Sequence, residues 1–207
     1  MALYYTENQA SIFVKKNILT FFVFFIFFTS TAQTNKVDSL NKLLAVENID
    51  SNRVKLLYEL EAEFEDNNPD TAYYIAQSAL NIAKASGFEN GIAMSYSMIA
   101  NYFSIVGNYP KALEFYFKRL KVEEKLAIPQ YIASANMGIA TVYYLMDEHL
   151  TALSYALKAD KVIKDNDLQN LKLYSTTNLG DIYLKLKNID SSIFFANQTL
   201  TKKKSTR

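Results

Sequence analysis

The sequence predicts an all-α protein built as a solenoid of stacked antiparallel helix hairpins, and three observations carry that expectation. Small residues recur every 40 positions, at Ala72, Ala112, Ala152 and Ser192. A second set keeps the same step four residues further on, at Ala76, Tyr116, Ala156 and Ala196, while an aromatic set runs Phe64, Phe103, Tyr143 and Tyr183. Self-similarity at a period of about 20 to 50 residues marks an array of supersecondary units, each burying its apolar face on the next. Composition agrees: half of the 207 residues are hydrophobic, with only 5 Gly and 3 Pro. No stretch alternates apolar and polar residues between turn signals, so strands are not required. The 15 Tyr and 14 Phe, with no Trp, supply large apolar side chains for a core.

The elements follow in chain order. Lys15 and Lys16 precede the apolar run Ile18 to Phe28, broken only by Thr20, and the small polar stretch Thr29 to Gln33 comes next. A basic start, a short apolar run and small side chains at Ser30 and Ala32 predict a secretory signal over residues 1–32, cleaved between Ala32 and Gln33. The run falls short of the roughly 20 apolar residues of a spanning helix. The folded part is therefore expected to be exported and periplasmic, or membrane-tethered if the segment is retained. Val37, Leu40, Leu43 and Leu44 keep helical spacing and predict a leading cap helix within residues 33–50.

Four helix pairs are then expected, over about 51–90, 91–128, 129–166 and 167–203, ending in a charged tail within 51–207. Unit one opens with a helix near 51–66, carried by Val54, Leu57, Leu60 and Phe64. Its second helix starts at Asn68-Pro69, a cap followed by proline at the first helical position, and Gly87 stops it. Unit two turns at Gly107-Asn108, with Pro110 at the next helix start. Ile128-Pro129 opens unit three, where Asp147-Glu148 replaces the Gly-Asn turn, and unit four turns at Lys187-Asn188.

Several function classes find no support. The 22 Lys and Arg balance 21 Asp and Glu, and the only Lys cluster is Lys202 to Lys204 near the C-terminal end. Nucleic-acid binding needs a basic stripe that this pattern lacks. No cysteine exists, so disulfides, thiolate metal sites and a Cys nucleophile are excluded. The single histidine, His149, falls in a turn and reads as a solvated residue. Glu59, Glu61, Glu63, Glu65 and Asp66 form an acidic run whose alternate members point to different sides of a helix, which reads as a solvated face. No glycine-rich loop has phosphate-binding spacing. No catalytic, cofactor or metal site is predicted.

Aligned on the turns, unit two reads Tyr96, Ile99, Ala100, Phe103, Gly107, Tyr109, Ala112, Tyr116, and unit four reads Thr176, Leu179, Gly180, Tyr183, then Ser192 and Ala196. This pattern resembles the tetratricopeptide repeat. The period departs from it, at 40 rather than 34, and Glu61, Arg119 and Thr199 stand where small residues are usual. Small residues let two helices approach closely, so Ala100, Ala140 and Gly180 on first helices are expected to meet Ala112, Ala152 and Ser192 on second helices.

The resemblance implies a right-handed α-solenoid whose first helices line a concave side. Candidate partner-binding residues there are Met94, Ser97, Asn101 and Ser104 in unit two. Ser134, Met137, Thr141 and Tyr144 follow in unit three, and Tyr174, Thr177, Asp181 and Leu184 in unit four. Such a polar, weakly charged groove suits an extended peptide or a helix. The paired Lys and Asn of a carboxylate clamp are absent. The implied function is a non-catalytic scaffold that binds protein or peptide and needs no cofactor. The opening Val37-Asp38-Ser39-Leu40 also looks like the exported sensory region of bacterial tetratricopeptide-containing kinases or helix-turn-helix regulators, which makes a fragment of a longer signalling protein the alternative.

Overall fold

A computed structural model of the chain describes residues 36–205. The expected signal segment lies outside the described residues. Helix α1 covers residues 36–46 and belongs to a separate unit that ends at Val46. The array itself follows as α2 Asp50–Ala62, α3 Pro69–Ala85, α4 Glu89–Ile105, α5 Tyr109–Leu126, α6 Pro129–Leu145, α7 His149–Asp165, α8 Gln169–Lys185 and α9 Ile189–Ser205. Among the described residues all regular structure is helical, and none of these helices is long and apolar enough to cross a membrane.

The helices pair as antiparallel hairpins, α2 with α3, α4 with α5, α6 with α7 and α8 with α9, and each hairpin packs on the next through α3–α4, α5–α6 and α7–α8. Second helices start at Pro69, Tyr109, His149 and Ile189, forty residues apart each time. Their caps keep the same step. Asn68, Asn108 and Asn188 each accept a hydrogen bond on Oδ1 from the backbone N–H three residues on, at 3.1, 3.3 and 3.1 Å. These caps satisfy donors that the first helical turn leaves unpaired.

The turns are more regular still. Gly87, Gly107, Ala127, Asp147, Asp167 and Lys187 all take positive φ, between 51° and 74°, at intervals of twenty residues. Five of the six close in the same way: Phe88, Asn108, Glu148, Leu168 and Asn188 donate their N–H to the carbonyl five residues back, at 2.8 to 2.9 Å. This double-bonded closure requires a left-handed residue just past the helix, where only glycine is unstrained. Ala127, at φ 53° and ψ 40°, has neither glycine's freedom nor a side chain that can bond locally. Ala127→Gly should therefore stabilise the fold by about 0.5–1 kcal/mol. A denaturation midpoint that stays put or falls would show that Ala127 carries no such strain.

Unit one departs from the cadence. Its first helix ends at Ala62, four residues before the expected end, and Phe64 falls in the turn. The last turn of α2 holds no basic residue, and Glu59, Glu61, Glu63 and Glu65 crowd the negative end of the helix dipole.

Packing follows the small-residue series. Ala76, Ala79, Ala83, Ala100, Ala112, Ala140, Ala152 and Ala159 are fully buried where helices cross. A Cβ added to Gly180 would lie 3.8 Å from the Ser192 carbonyl oxygen and 3.9 Å from the Ala196 nitrogen, so α8 and α9 do meet at the expected residues. Beside the crossing in units two, three and four sits a stacked aromatic pair. Phe103–Phe115, Tyr143–Tyr155 and Tyr183–Phe195 have ring centroids 5.8, 5.6 and 5.6 Å apart and planes within 16° of parallel. One pair in each of the last three hairpins, again at a step of forty, locks first helix to second with a geometry favourable for π systems.

Candidate functional site

The first helices make one wall. Helix α2 touches α4 and α6 touches α8 across the intervening second helix, whereas the second helices make no comparable approach, so the first helices occupy the inner side of the stack. In units two and three, though not in unit one, the sequence sorts charge between the two rows. Helix α6 has no charged residue and α4 has only Glu89, while α5 carries eight and α7 five. Desolvating an ion is costly, so the α4 and α6 stretch of the inner wall is the cheaper one for another chain to cover.

The join between α4 and α6 is made by side chains reaching through from α5. Arg119, 8% exposed, donates from Nε to Glu123 Oε1 at 2.8 Å, from Nη1 to Ser97 Oγ at 2.9 Å and from Nη2 to Ser134 Oγ at 3.1 Å. One guanidinium thus ties three helices. Burial raises the Glu123 carboxyl to about 7 despite the opposing pull of the Arg119 charge, and its Oε2 has no donor. One turn earlier, the Tyr116 hydroxyl donates to Asn101 Oδ1 at 2.5 Å, and Asn101 Nδ2 donates to Glu65 Oε1 at 2.8 Å. The Tyr116 ring fills the space where a side chain on Gly138 would stand. Burial drives its phenol up to about 12.

Glu61 and Glu65 correct the reading of the acidic run as a solvated face. Spaced i,i+4, they share one side of the chain, and Glu61 is 4% exposed on the inner row. Burial first, and the Glu65 charge second, raise the Glu61 carboxyl to about 7. A carboxyl whose folded value lies above its ordinary 4.5 contributes its full stability below that value and loses it as pH climbs from about 4.5 to 7. Glu61→Gln should accordingly match the parent near pH 4.5 and exceed it at pH 8 by about 1–3 kcal/mol. Equal stability of the two at pH 8, by urea titration, would mean that the buried charge has no cost.

Between α6 and α8 a cleft of about 240 Å³ opens, lined by Thr141, Tyr144, Leu145, Tyr174, Thr177, Asn178, Asp181 and Ile182. Most of this wall is apolar or aromatic. Thr141 Oγ donates to the Met137 carbonyl at 3.0 Å, Asn178 Nδ2 donates to Thr141 Oγ at 3.3 Å, and the Tyr174 hydroxyl lies 3.4 Å from the same oxygen. Asn178 Oδ1 is buried without a donor.

The structure therefore divides the expected groove residues. Thr141, Tyr144, Tyr174, Thr177 and Asp181 come together in the cleft, and Leu184 is exposed on the same helix. Ser97, Asn101 and Ser134 serve internal hydrogen bonds, and Ser104 bonds back to the Ala100 carbonyl at 3.0 Å. Met94 is half-buried. Met137 is not a surface residue: it is 4% exposed and packs with Ala133, Ala159 and Ile163, because its position on α6 faces α7. His149 is not solvated either. As the first residue of α7, its ring is tilted against Tyr144 at 5.5 Å and its Nδ1 is buried without a partner. Leu145, Asn178 and Ile182 complete the cleft and were missing from the expected set, although Asn178 adjoins the Leu179-Gly180 pair of the repeat pattern.

No family model and no curated protein matches the sequence. Solved structures do match, and they show the fold of tetratricopeptide-like helical repeats. Aspartyl phosphate phosphatase F from Bacillus subtilis superposes with a TM-score of 0.73 at 14% identity, over 84% of this chain and 49% of that one. A Rap protein complexed with competence and sporulation factor gives 0.72 at 17% identity, over 84% and 50%. The chain thus spans about half the length of these two. Kinesin light chain-like repeats from Podosopora anserina give 0.63 at 12% identity, over 86% and 90%.

Proposed function

We propose that this chain is a non-catalytic, exported scaffold that binds protein or peptide along its first helices. One observation carries the reading: five residues expected from the repeat pattern to face inward converge on a single cleft between α6 and α8, whose α6 side carries no charged residue. The Rap protein of the matching structures is itself complexed with a factor, which supports the same use of this fold. A photo-cross-linking amino acid in place of Tyr174 should capture the bound chain, whereas the same residue in place of Tyr74, exposed on α3, should not. Capture from Tyr74 alone would place binding on the other row and refute the proposal. Export is tested by fractionating cells that express the whole chain and finding it outside the cytoplasm.

A second reading, the sensory part of a longer signalling protein, is supported by the likeness, at a TM-score of 0.65 and 18% identity, to a Signal Transduction ATPase with Numerous Domains protein with a tetratricopeptide repeat sensor from Pyrococcus horikoshii. An antibody against the array should then detect a product much larger than 23.6 kDa in source cells. A band at that mass alone would eliminate this reading.

A further inference from the structure

We propose that the α6–α8 cleft is a subsite for a cationic side chain, arginine or lysine, of a bound peptide. The proposal deepens the peptide-binding reading and rests on it. Its ground is the hydrogen-bond polarity of the wall. A hydroxyl has one hydrogen to give and two lone pairs to receive. Thr141 commits its hydrogen to the Met137 carbonyl, and Thr177 commits its own to the Leu173 carbonyl at 3.0 Å. With the Thr141 hydrogen used, Asn178 Nδ2 and the Tyr174 hydroxyl must both donate toward Thr141, which fixes the Asn178 amide with Oδ1 as the unpaired end. Of the polar groups left over, the Thr177 hydroxyl, Asn178 Oδ1 and the Asp181 carboxylate accept, against one spare Nδ2 hydrogen on Asn178. Asn178 Oδ1 is buried, so the acceptors open to an incoming donor are the Thr177 hydroxyl and the Asp181 carboxylate, both on exposed residues.

Charge points the same way. Asp181 lines the cleft, is exposed, and forms no ion pair within 4 Å among the described residues, and it is the only carboxylate in the lining. The same lining includes the Tyr144 and Tyr174 rings and Ile182. That combination fits a side chain with an apolar stem and a donor-rich positive tip, because the stem covers apolar surface while the tip meets the carboxylate and ring faces. The protein supplies its own example: Lys185 Nζ sits 5.7 Å from the Tyr144 ring centroid. An incoming cation competes with Lys185 for that ring.

The test uses the full chain and capped pentapeptides acetyl-Ala-Ser-X-Ser-Ala-amide, with X arginine, lysine, citrulline, leucine or glutamate, followed by amide NMR shifts. Arginine and lysine peptides should shift the Thr177 and Asp181 signals saturably, and citrulline, which keeps the shape without the charge, should bind about fivefold or more weakly. Asp181→Asn should abolish the difference between arginine and citrulline, and Lys185→Met should tighten the arginine peptide. The Asp181→Asn site lies on the surface, so its fold is checked by an unchanged spectrum elsewhere. Equal binding of arginine and citrulline, preference for leucine or glutamate, or no shift at these two residues overturns the inference. Shifts elsewhere on α4, α6 or α8 without them leave the peptide-groove reading intact, whereas shifts confined to second helices overturn both.

Discussion

Arg119→Ala is expected to lower stability by about 3–5 kcal/mol, among the largest losses any single substitution should cause here. The guanidinium is 8% exposed and makes one hydrogen bond to each of three helices' side chains: Glu123 on its own α5, Ser97 on α4 and Ser134 on α6. Removing it leaves a carboxylate, 2% exposed, with no counter-charge, and leaves two serine hydroxyls without their donor. The cost should shrink toward acid pH. Glu123 already titrates near 7, and without Arg119 its value moves higher still, so at pH 5 the carboxyl is neutral and burying it is cheaper. The paired replacement Arg119→Met with Glu123→Leu should restore most of the loss, since apolar side chains fill a site of this kind without needing partners. Urea titrations of parent, single and double variants at pH 5 and pH 8 decide the matter. A single variant as stable as the parent at pH 8 would show that the tie between units two and three contributes nothing.

Ala152→Phe is expected to cost about 1–3 kcal/mol or more through overpacking. Ala152 is fully buried where α7 crosses α6 opposite Ala140, with the Tyr143–Tyr155 stack beside it. A phenyl ring there has no empty volume to enter, so the helices must separate or the stack must open. Ala112→Phe should behave alike against Ala100. An unchanged thermal midpoint for either would contradict the assigned crossing. Gly180→Ala is the matched control: its Cβ would come no closer than 3.6 Å to any neighbour, ordinary contact, and alanine favours the helix.

Why the architecture was readable and parts of the inner wall were not comes down to range. Ala100, Ala112, Ala140 and Ala152 announce themselves because a crossing point tolerates little else, and a constraint repeated every forty residues survives as a visible pattern. The aromatics Phe115, Tyr155 and Phe195 obey the same step, but only the fold shows that they stack on the series Phe103, Tyr143 and Tyr183. Arg119 was visible only as an exception to the pattern. Its partners Ser97 and Ser134 lie 22 and 15 residues away, and nothing local says that their hydroxyls are consumed inside the stack. Met137 shares its helical stripe with Ser134 and Thr141, so phase alone does not tell it from them; it is buried because Ala159 and Ile163 of α7 and Leu168 and Leu171 at the start of α8 cover that point of the stripe. In the acidic run the pair that shares a face is four apart, Glu61 and Glu65, and only the packing of the stack shows that Glu61 is turned inward.

The even spacing of the left-handed turns has an evolutionary corollary. Gain or loss of a single residue inside a helix swings every later side chain by about 100° and would present the wrong face all the way downstream. A whole hairpin copied or deleted in frame, by contrast, preserves phase. Lineages carrying this array should therefore differ in length by complete hairpins, with smaller insertions restricted to the longer link between α2 and α3, where the rhythm is already broken.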